Sequence, residues 1–197
     1  MRPQGPRSRS PCRAAVLDAA LRLFVENGYA RVTVGDIARE AGTAVLTYAS
    51  TGGKSSILAH LIGEGMGDST SGRTLAAVTA SEGPREVVAI TTQGVRVDTE
   101  QHFPLLHVLV AAAALEESAR QTHTRTDRLF RDALGQVAGR LNELGALREG
   151  MACDRATDIL WFFLGHRSWR LYVADCDWTR DETEGWLTTQ LSAALLV

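Results

Sequence analysis

The stretch from Thr33 to Lys54 constrains the fold more than any other part of this 197-residue chain. Thr33 followed by Asp36 is typical of a helix N-cap with an acidic residue in the first turn. Gly42 then supplies a residue that tolerates positive φ, so that the helix can end and the chain can turn within one or two residues. Residues 43–50 follow with a pattern that favours about two further helical turns. The stretch therefore predicts a helix-turn-helix.

A helix precedes this stretch in the predicted fold. Its apolar residues recur at helical spacing from Arg13 to Asn27, and Gly28 closes it; they are Val16, Ala19, Ala20, Leu23 and Phe24. We expect it to pack across the helix-turn-helix pair as the third helix of a small unit. Residues 1–12 are rich in arginine and proline and are predicted to form a disordered basic arm.

This N-terminal region resembles the TetR-type transcriptional regulators. The resemblance rests on one set of residues at familiar spacing: Ala19, Ala20, Leu23, Phe24, Gly28, Tyr29, Thr33, Val34, Ile37, Ala38, Ala41, Gly42, Thr47, Tyr48 and Lys54. It implies that the second helix of the motif lies in a DNA major groove. It also implies that Thr33 and Lys54 hold phosphates, and that the segment between them faces bases or the DNA backbone through Thr43, Ala44, Val45, Thr47 and Tyr48.

The chain departs from the family pattern where DNA would be read. The family tyrosine usually follows the turn glycine by seven residues, whereas Tyr48 follows Gly42 by six. Thr51 stands where an aromatic residue is usual, and two glycines follow it. Either the turn or the recognition helix is one residue short, and the sequence leaves both alternatives open.

Charge is distributed unevenly along the chain. Residues 1–60 hold eight Lys or Arg and four acids, a net charge of +4, whereas the whole chain carries -2 and the remainder therefore -6. A basic end that carries the helix-turn-helix suits a nucleic-acid partner, although a chance distribution of solvated charge would look the same.

The rest of the chain is predicted to be helical, which makes the fold all-α. A helix from Lys54 should bend or break near Gly63 to Gly67, as a hinge or as a loop. Further helices are predicted at 70–80, 83–100, 104–120, 124–144, 154–174 and 179–196. The predicted domains are the arm (1–12), the helix-turn-helix domain (13–54) and a helical ligand-binding and dimerisation domain (55–197).

The last two predicted helices carry the second part of the resemblance, around Trp169 to Val173, Trp178 and Trp186. In the family such helices pair with their copies in a second subunit, which implies a homodimer. The predicted interface consists of the apolar stripes of both helices: Ile159, Leu160, Phe163, Leu171, Leu187, Leu191 and Leu195. The alternative is that both stripes face the core of their own subunit.

No catalytic or metal-binding pattern occurs in the sequence, and neither an enzyme nor a cofactor is expected. The middle helices could enclose a mostly apolar ligand cavity, with a predicted lining of Phe103, His107, Val110, Leu115, Phe162 and His166. No apolar run is long enough to span a membrane, and we expect a cytoplasmic protein.

The predicted function is that of a homodimeric regulator of a double-stranded DNA operator, most simply a repressor released by a small apolar or amphipathic ligand. The alternative is a ligand-binding or interaction module on the same fold that has lost operator reading.

Overall fold

The structure, a computed structural model, describes residues 11–43, 53–66 and 70–197. Regular structure in these residues is helical, and one isolated bridge joins Leu147 to Leu196. The predicted all-α class is confirmed. The helices are α1 (Pro11–Asn27), α2 (Val34–Glu40), α3 (Gly53–Met66), α4 (Thr70–Ala80), α5 (Pro84–Ala113), α6 (Glu117–Glu143), α7 (Cys153–Leu164), α8 (His166–Arg170) and α9 (Arg180–Leu195).

The helices form two compact units, and two of them contribute to both. The first unit comprises the described residues up to 66 together with Pro104–Thr124, and the second comprises 70–103 and 125–197. Helix α5 passes from the second unit to the first at Pro104, and α6 returns to the second at Arg125.

The first unit is built on a single apolar cluster. Helix α1 supplies its stripe, α2 supplies Ile37, and α3 supplies Ile57, Leu58, Leu61 and Ile62. The predicted boundary after Lys54 would divide this cluster, because α3 packs directly against α1 in the same core. The end of α5 joins it through Leu105, Val108, Leu109 and Ala112.

Helix α3 runs through two of the three glycines that were expected to interrupt it. Gly63 and Gly65 lie inside the helix, which continues to Met66. Burial of four apolar side chains on one face stabilises the helix by more than the two glycines cost, at about 1 kcal/mol each. Gly67 lies outside the described residues, so the choice between a hinge and a loop stays open there.

The predicted break before Pro104 is wrong. Helix α5 continues through Pro104, and α6 begins at Glu117, seven residues before the predicted start at 124. Proline removes one helical hydrogen bond, at a cost of about 3 kcal/mol. The apolar residues of α5 that follow Pro104 are buried in the first unit, which offsets that cost.

The predicted helix 154–174 is divided at Gly165. This residue ends α7 and begins α8 with an extended backbone, and a Cβ there would lie 2.7 Å from the Trp161 carbonyl oxygen. Glycine avoids that collision. Residues Leu171–Asp175 then form a π-helical turn, and Thr179 caps α9 through a reciprocal pair of hydrogen bonds with Glu182.

The second unit has its own core. Its helices bury a continuous set of apolar side chains around Trp169, which is fully buried; the set includes Val87, Val88, Leu134, Leu141, Leu160, Leu164, Leu187, Leu191 and Leu195. Arg96 fastens α5 to α9 through ion pairs with Asp181 and Glu184, the latter at 2.9 Å.

Candidate DNA-binding unit

Residues 28–33 form a short connection between the first two helices, and hydrogen bonds fix its geometry at both ends. Gly28 takes a φ of +77° after the last residue of α1, and its amide donates to the Phe24 carbonyl. Thr33 then caps α2: its hydroxyl accepts from the Asp36 amide at 3.2 Å, and the Asp36 carboxylate accepts from the Thr33 amide at 3.0 Å. The Asp36 carboxylate also accepts from the Thr33 hydroxyl, and this bond, together with the one from the Thr33 amide, lowers the pKa of Asp36 and favours its charged form at the N-terminus of α2.

The turn after α2 has the geometry that glycine makes possible. Gly42 has a φ of +64° and donates to the Arg39 carbonyl, and the Thr43 amide donates to the Ala38 carbonyl at 3.0 Å. This pair of bonds is a Schellman motif, which ends the helix and reverses the chain. Ala44, Val45, Thr47 and Tyr48 lie outside the described residues, so their predicted contacts with DNA stay predictions.

Lys54 is bonded inside the first unit. Its ammonium donates to the backbone carbonyls of Tyr29, at 2.9 Å, and Val32, at 3.3 Å, and lies 4.3 Å from the centroid of the Tyr29 ring. The side chain therefore ties the start of α3 to the connection between α1 and α2. The ammonium that was predicted to bind a phosphate is therefore already bonded to groups of the protein.

Thr33 is also engaged within the protein. Its hydroxyl donates to the Asp36 carboxylate at 2.7 Å as well as accepting from the Asp36 amide. A phosphate at this hydroxyl would have to displace a carboxylate. The geometry thus favours a capping role for Thr33 over the predicted phosphate contact.

Arg31 is the cation that sequence reasoning missed. It lies in the connection between α1 and α2, it is exposed, and no ion pair or hydrogen bond holds its guanidinium among the described residues. Arg39, by contrast, pairs with Asp36 at 3.1 Å, and Arg22 pairs with Glu40 at 3.1 Å. Exposure and the lack of a partner are visible only in the structure.

Tyr29 anchors the connection between α1 and α2 to the core of the first unit. Its ring packs against Phe24 with centroids 5.1 Å apart, and it is 2% exposed. Burial raises the pKa of the Tyr29 hydroxyl, and the neighbouring Glu116 carboxylate raises it further, so the hydroxyl stays neutral. Glu116 belongs to the turn between α5 and α6, so the charge of that turn acts on the same residue that Lys54 covers.

The structure brings together only two of the residues predicted to line a ligand cavity. The rings of Phe103 and His166 lie 5.0 Å apart in the second unit. Val110 and Leu115 are 41% and 60% exposed, and Phe162 is 71% exposed. These three face solvent, and His107 of α5 is exposed as well.

The sequence of the first unit matches a known family. Residues 16–47 match the family model for bacterial regulatory proteins of the tetR family. Over these residues the chain is similar to the TetR family. The match covers α1, α2 and the turn that follows, and continues into residues outside the described ranges.

Solved structures share the fold over nearly the whole chain. The fatty acid degradation regulator FadR from Bacillus halodurans is 18% identical, with a TM-score of 0.77 over 94% of this chain and 96% of that one. FadR from Bacillus subtilis in complex with stearoyl-CoA is 20% identical, with a TM-score of 0.75 over 92% and 98%. A regulator from Saccharomonospora viridis in complex with choline is 16% identical, with a TM-score of 0.76 over 96% and 100%. Comparison with curated proteins gave no match.

The predicted dimer interface needs correction. Leu160, Leu187, Leu191 and Leu195 are 0% exposed in a single chain, so a second subunit cannot reach their side chains. Both leucine stripes face the core of their own subunit, which is the alternative that the sequence left open. Ile159 and Phe163 are partly buried against that core, and Leu171 is 49% exposed.

Other large apolar residues, in α7 and directly after α8, are exposed. Trp161 is 40% exposed, Phe162 is 71% exposed and Leu171, directly after α8, is 49% exposed; we call these three residues the α7–α8 apolar surface. Phe162 packs edge-on against Phe163 at 5.3 Å, and Phe163 in turn lies 6.2 Å from Trp186. Phe162 is therefore held in place by a cluster of aromatic rings.

None of the helices in the described residues has both the length and the apolar character needed to span a membrane.

Proposed function

We propose that this chain is a homodimeric repressor of the TetR type that binds a double-stranded DNA operator and releases it when a small ligand binds. The observation that carries the proposal is the α1–α2 unit, in which a capped helix, a Schellman turn at Gly42 and the family match coincide. In this proposal the segment after Gly42 reads the operator, and its two copies in the dimer enter successive major grooves about 34 Å apart.

We propose that Arg31, rather than Thr33 or Lys54, contacts a phosphate. An exposed guanidinium beside α2 adds affinity without sequence preference, because each neutralised phosphate releases a counterion. Thr43 to Tyr48 remain the proposed base-reading segment, and Thr33 and Lys54 position it from within the protein.

The dimer is proposed to form through the α7–α8 apolar surface. An exposed phenylalanine, tryptophan and leucine on neighbouring elements are a costly surface for a monomer to present to water. Phe162→Glu places a charge at the most exposed of the three, and sedimentation of the wild type and variant should give a dimer and a monomer. Leu129→Glu is the matched control, because it puts the same charge at another exposed apolar residue, on α6. This variant should stay dimeric.

The ligand is proposed to be small and apolar or amphipathic, bound in the helical core beside Phe103 and His166. Relatives of similar fold have been solved with stearoyl-CoA and with choline, so the fold accepts ligands that combine an apolar and a polar part. A ligand that prefers one arrangement of the helices lowers DNA affinity by its difference in affinity for the two arrangements.

The test is a mobility shift of the purified chain on DNA upstream of its own gene, with random DNA as competitor. Specific retardation that a candidate ligand abolishes would support the proposal. Retardation equal on every DNA at low salt and lost at moderate salt would favour the other function, a ligand-binding module without operator reading. The altered spacing between Gly42 and Tyr48 is the observation that favours this second function.

A further inference from the structure

A groove lies in the second unit, and its lining includes neither Phe103 nor His166. It has a volume of about 490 Å³ and is formed by the start of α5, the turn after α6 and the last turns of α9. Its lining residues are Arg85, Arg148, Thr188, Thr189, Ser192, Ala193, Leu196 and Val197. Two arginines from different elements thus share one groove with hydroxyl and small apolar groups.

The wall that carries Arg148 is held in place by the backbone. The Arg148 amide donates to the Leu195 carbonyl at 2.9 Å, and the Val197 amide donates to the Ala146 carbonyl at 3.2 Å. The guanidinium itself donates from Nη2 to the Ala193 carbonyl at 2.7 Å. One of its donors is used in this way, and the others remain for a ligand.

Neither arginine of the groove is neutralised by an acid among the described residues. Arg85 is exposed and has no ion pair there, and the neighbouring Glu86 carboxylate accepts from the Ser81 hydroxyl at 2.6 Å. Elsewhere in this unit Arg96 and Arg140 pair with carboxylates. The groove therefore keeps two positive charges available.

The other lining residues determine which further groups a ligand can carry. The hydroxyls of Thr188 and Thr189 donate back to the Glu184 and Gly185 carbonyls, so towards the groove their oxygens act as acceptors. Leu196 and Ala193 supply an apolar wall. The chemistry that fits is an anionic head for the two guanidinium groups, joined to a short apolar group.

We propose that this groove binds a small organic anion, a carboxylate or a phosphate ester with a short apolar substituent. The site is separate from the ligand site of the proposed function. Arg85 and Arg148 bind the anionic head through charge-assisted hydrogen bonds, and the apolar substituent lies against Leu196 and Ala193.

The test is calorimetric titration of the full chain with phenyl phosphate at constant ionic strength, beside inorganic phosphate and phenol. Two charge-assisted contacts predict a Kd of about 1 mM, with phenyl phosphate binding more tightly than inorganic phosphate and phenol not binding. Arg85→Gln should weaken binding about tenfold, since it removes one of the two charges. Ala193→Glu, which puts a carboxylate at an exposed helical position of the wall, should abolish it.

The control is Arg155→Gln, which removes an equally exposed arginine from α7, outside the groove. It should change the affinity by less than about twofold, as screening of a remote surface charge predicts. Equal losses in Arg85→Gln and Arg155→Gln would overturn the proposal, as would an absence of saturable binding up to about tenfold above the expected Kd. The titration contains no DNA, so its outcome is independent of the mobility-shift test.

Discussion

Lys54 gives the sharpest test of how the first unit is held together. The structure places its ammonium on two backbone carbonyls and over the Tyr29 ring, whereas the sequence predicted a phosphate contact. The two roles differ in what Lys54→Ala changes. A structural lysine affects the free energy of unfolding, and a phosphate ligand affects the salt dependence of DNA binding.

The expected loss of stability follows from the contacts. Two hydrogen bonds from a charged donor contribute about 1.5 kcal/mol each and the cation–π contact about 0.5 kcal/mol. Freeing the lysine side chain returns about 1.5 kcal/mol of conformational entropy. The net loss for Lys54→Ala is therefore about 2 kcal/mol, or about 4 to 8 °C in Tm for a chain of this length.

The assay is urea unfolding of the full chain followed by circular dichroism, with Lys54→Met as a second variant. Methionine keeps the aliphatic stem over Tyr29 but has no ammonium, so it should lose most of the same free energy. DNA affinity of both variants is then measured against salt at a temperature where they are folded. An unfolding free energy within about 0.5 kcal/mol of the wild type, with a salt slope lower by about one unit, would refute the structural role.

Three further predictions concern other residues of both units. Arg31→Ala should lower the salt slope by about one unit and leave the unfolding free energy within about 0.5 kcal/mol, and an unchanged slope would remove Arg31 from the phosphate contacts. Gly94→Ala should destabilise the chain by about 1 to 3 kcal/mol in urea unfolding although alanine is the better helix former, because its Cβ would lie 2.9 Å from the Thr74 Cβ and closer to both terminal atoms. Thr74→Ala should recover part of that loss, and additive effects of the two changes would contradict the steric explanation. Burial raises the pKa of Asp98 although the His102 ring lies 3.2 Å away, so the folded state binds this proton more tightly than the unfolded state does. The wild type should therefore lose stability relative to Asp98→Asn as the pH rises through and above the ordinary carboxyl pKa of about 4. Parallel stability curves in urea titrations would exclude that linkage.

The local features of the first unit could be predicted from the sequence because their signals are local. The cap at Thr33 and the turn at Gly42 each depend on residues within five positions, and the structure has both. The role of Lys54 could not be predicted in the same way. Its acceptors precede it by 25 and 22 residues, and no sequence pattern records which backbone carbonyls a lysine will reach.

Pro104 shows how packing overrides a local signal. A proline predicts a helix boundary, since it lacks an amide donor and clashes with the preceding turn. The apolar residues after it, however, keep the spacing of the residues before it, and Leu105 and Leu109 are buried in the first unit's core. A continuous helix is the arrangement that buries them, and the sequence does show this periodicity across the proline.

The C-terminal helices show what periodicity leaves undecided. An apolar stripe such as that of Leu160, or of Leu187 on α9, identifies a buried face but not whether the same chain or a second subunit covers it. In this chain Leu160, Leu187, Leu191 and Leu195 are fully buried by their own subunit. The informative residues are those off the stripe, because Trp161 and Phe162 give α7 a second apolar face that the subunit core leaves exposed. A helix with two apolar faces can pack against two partners. For α7 the first partner is the core of its own subunit, and the proposed second partner is the same helix in another subunit.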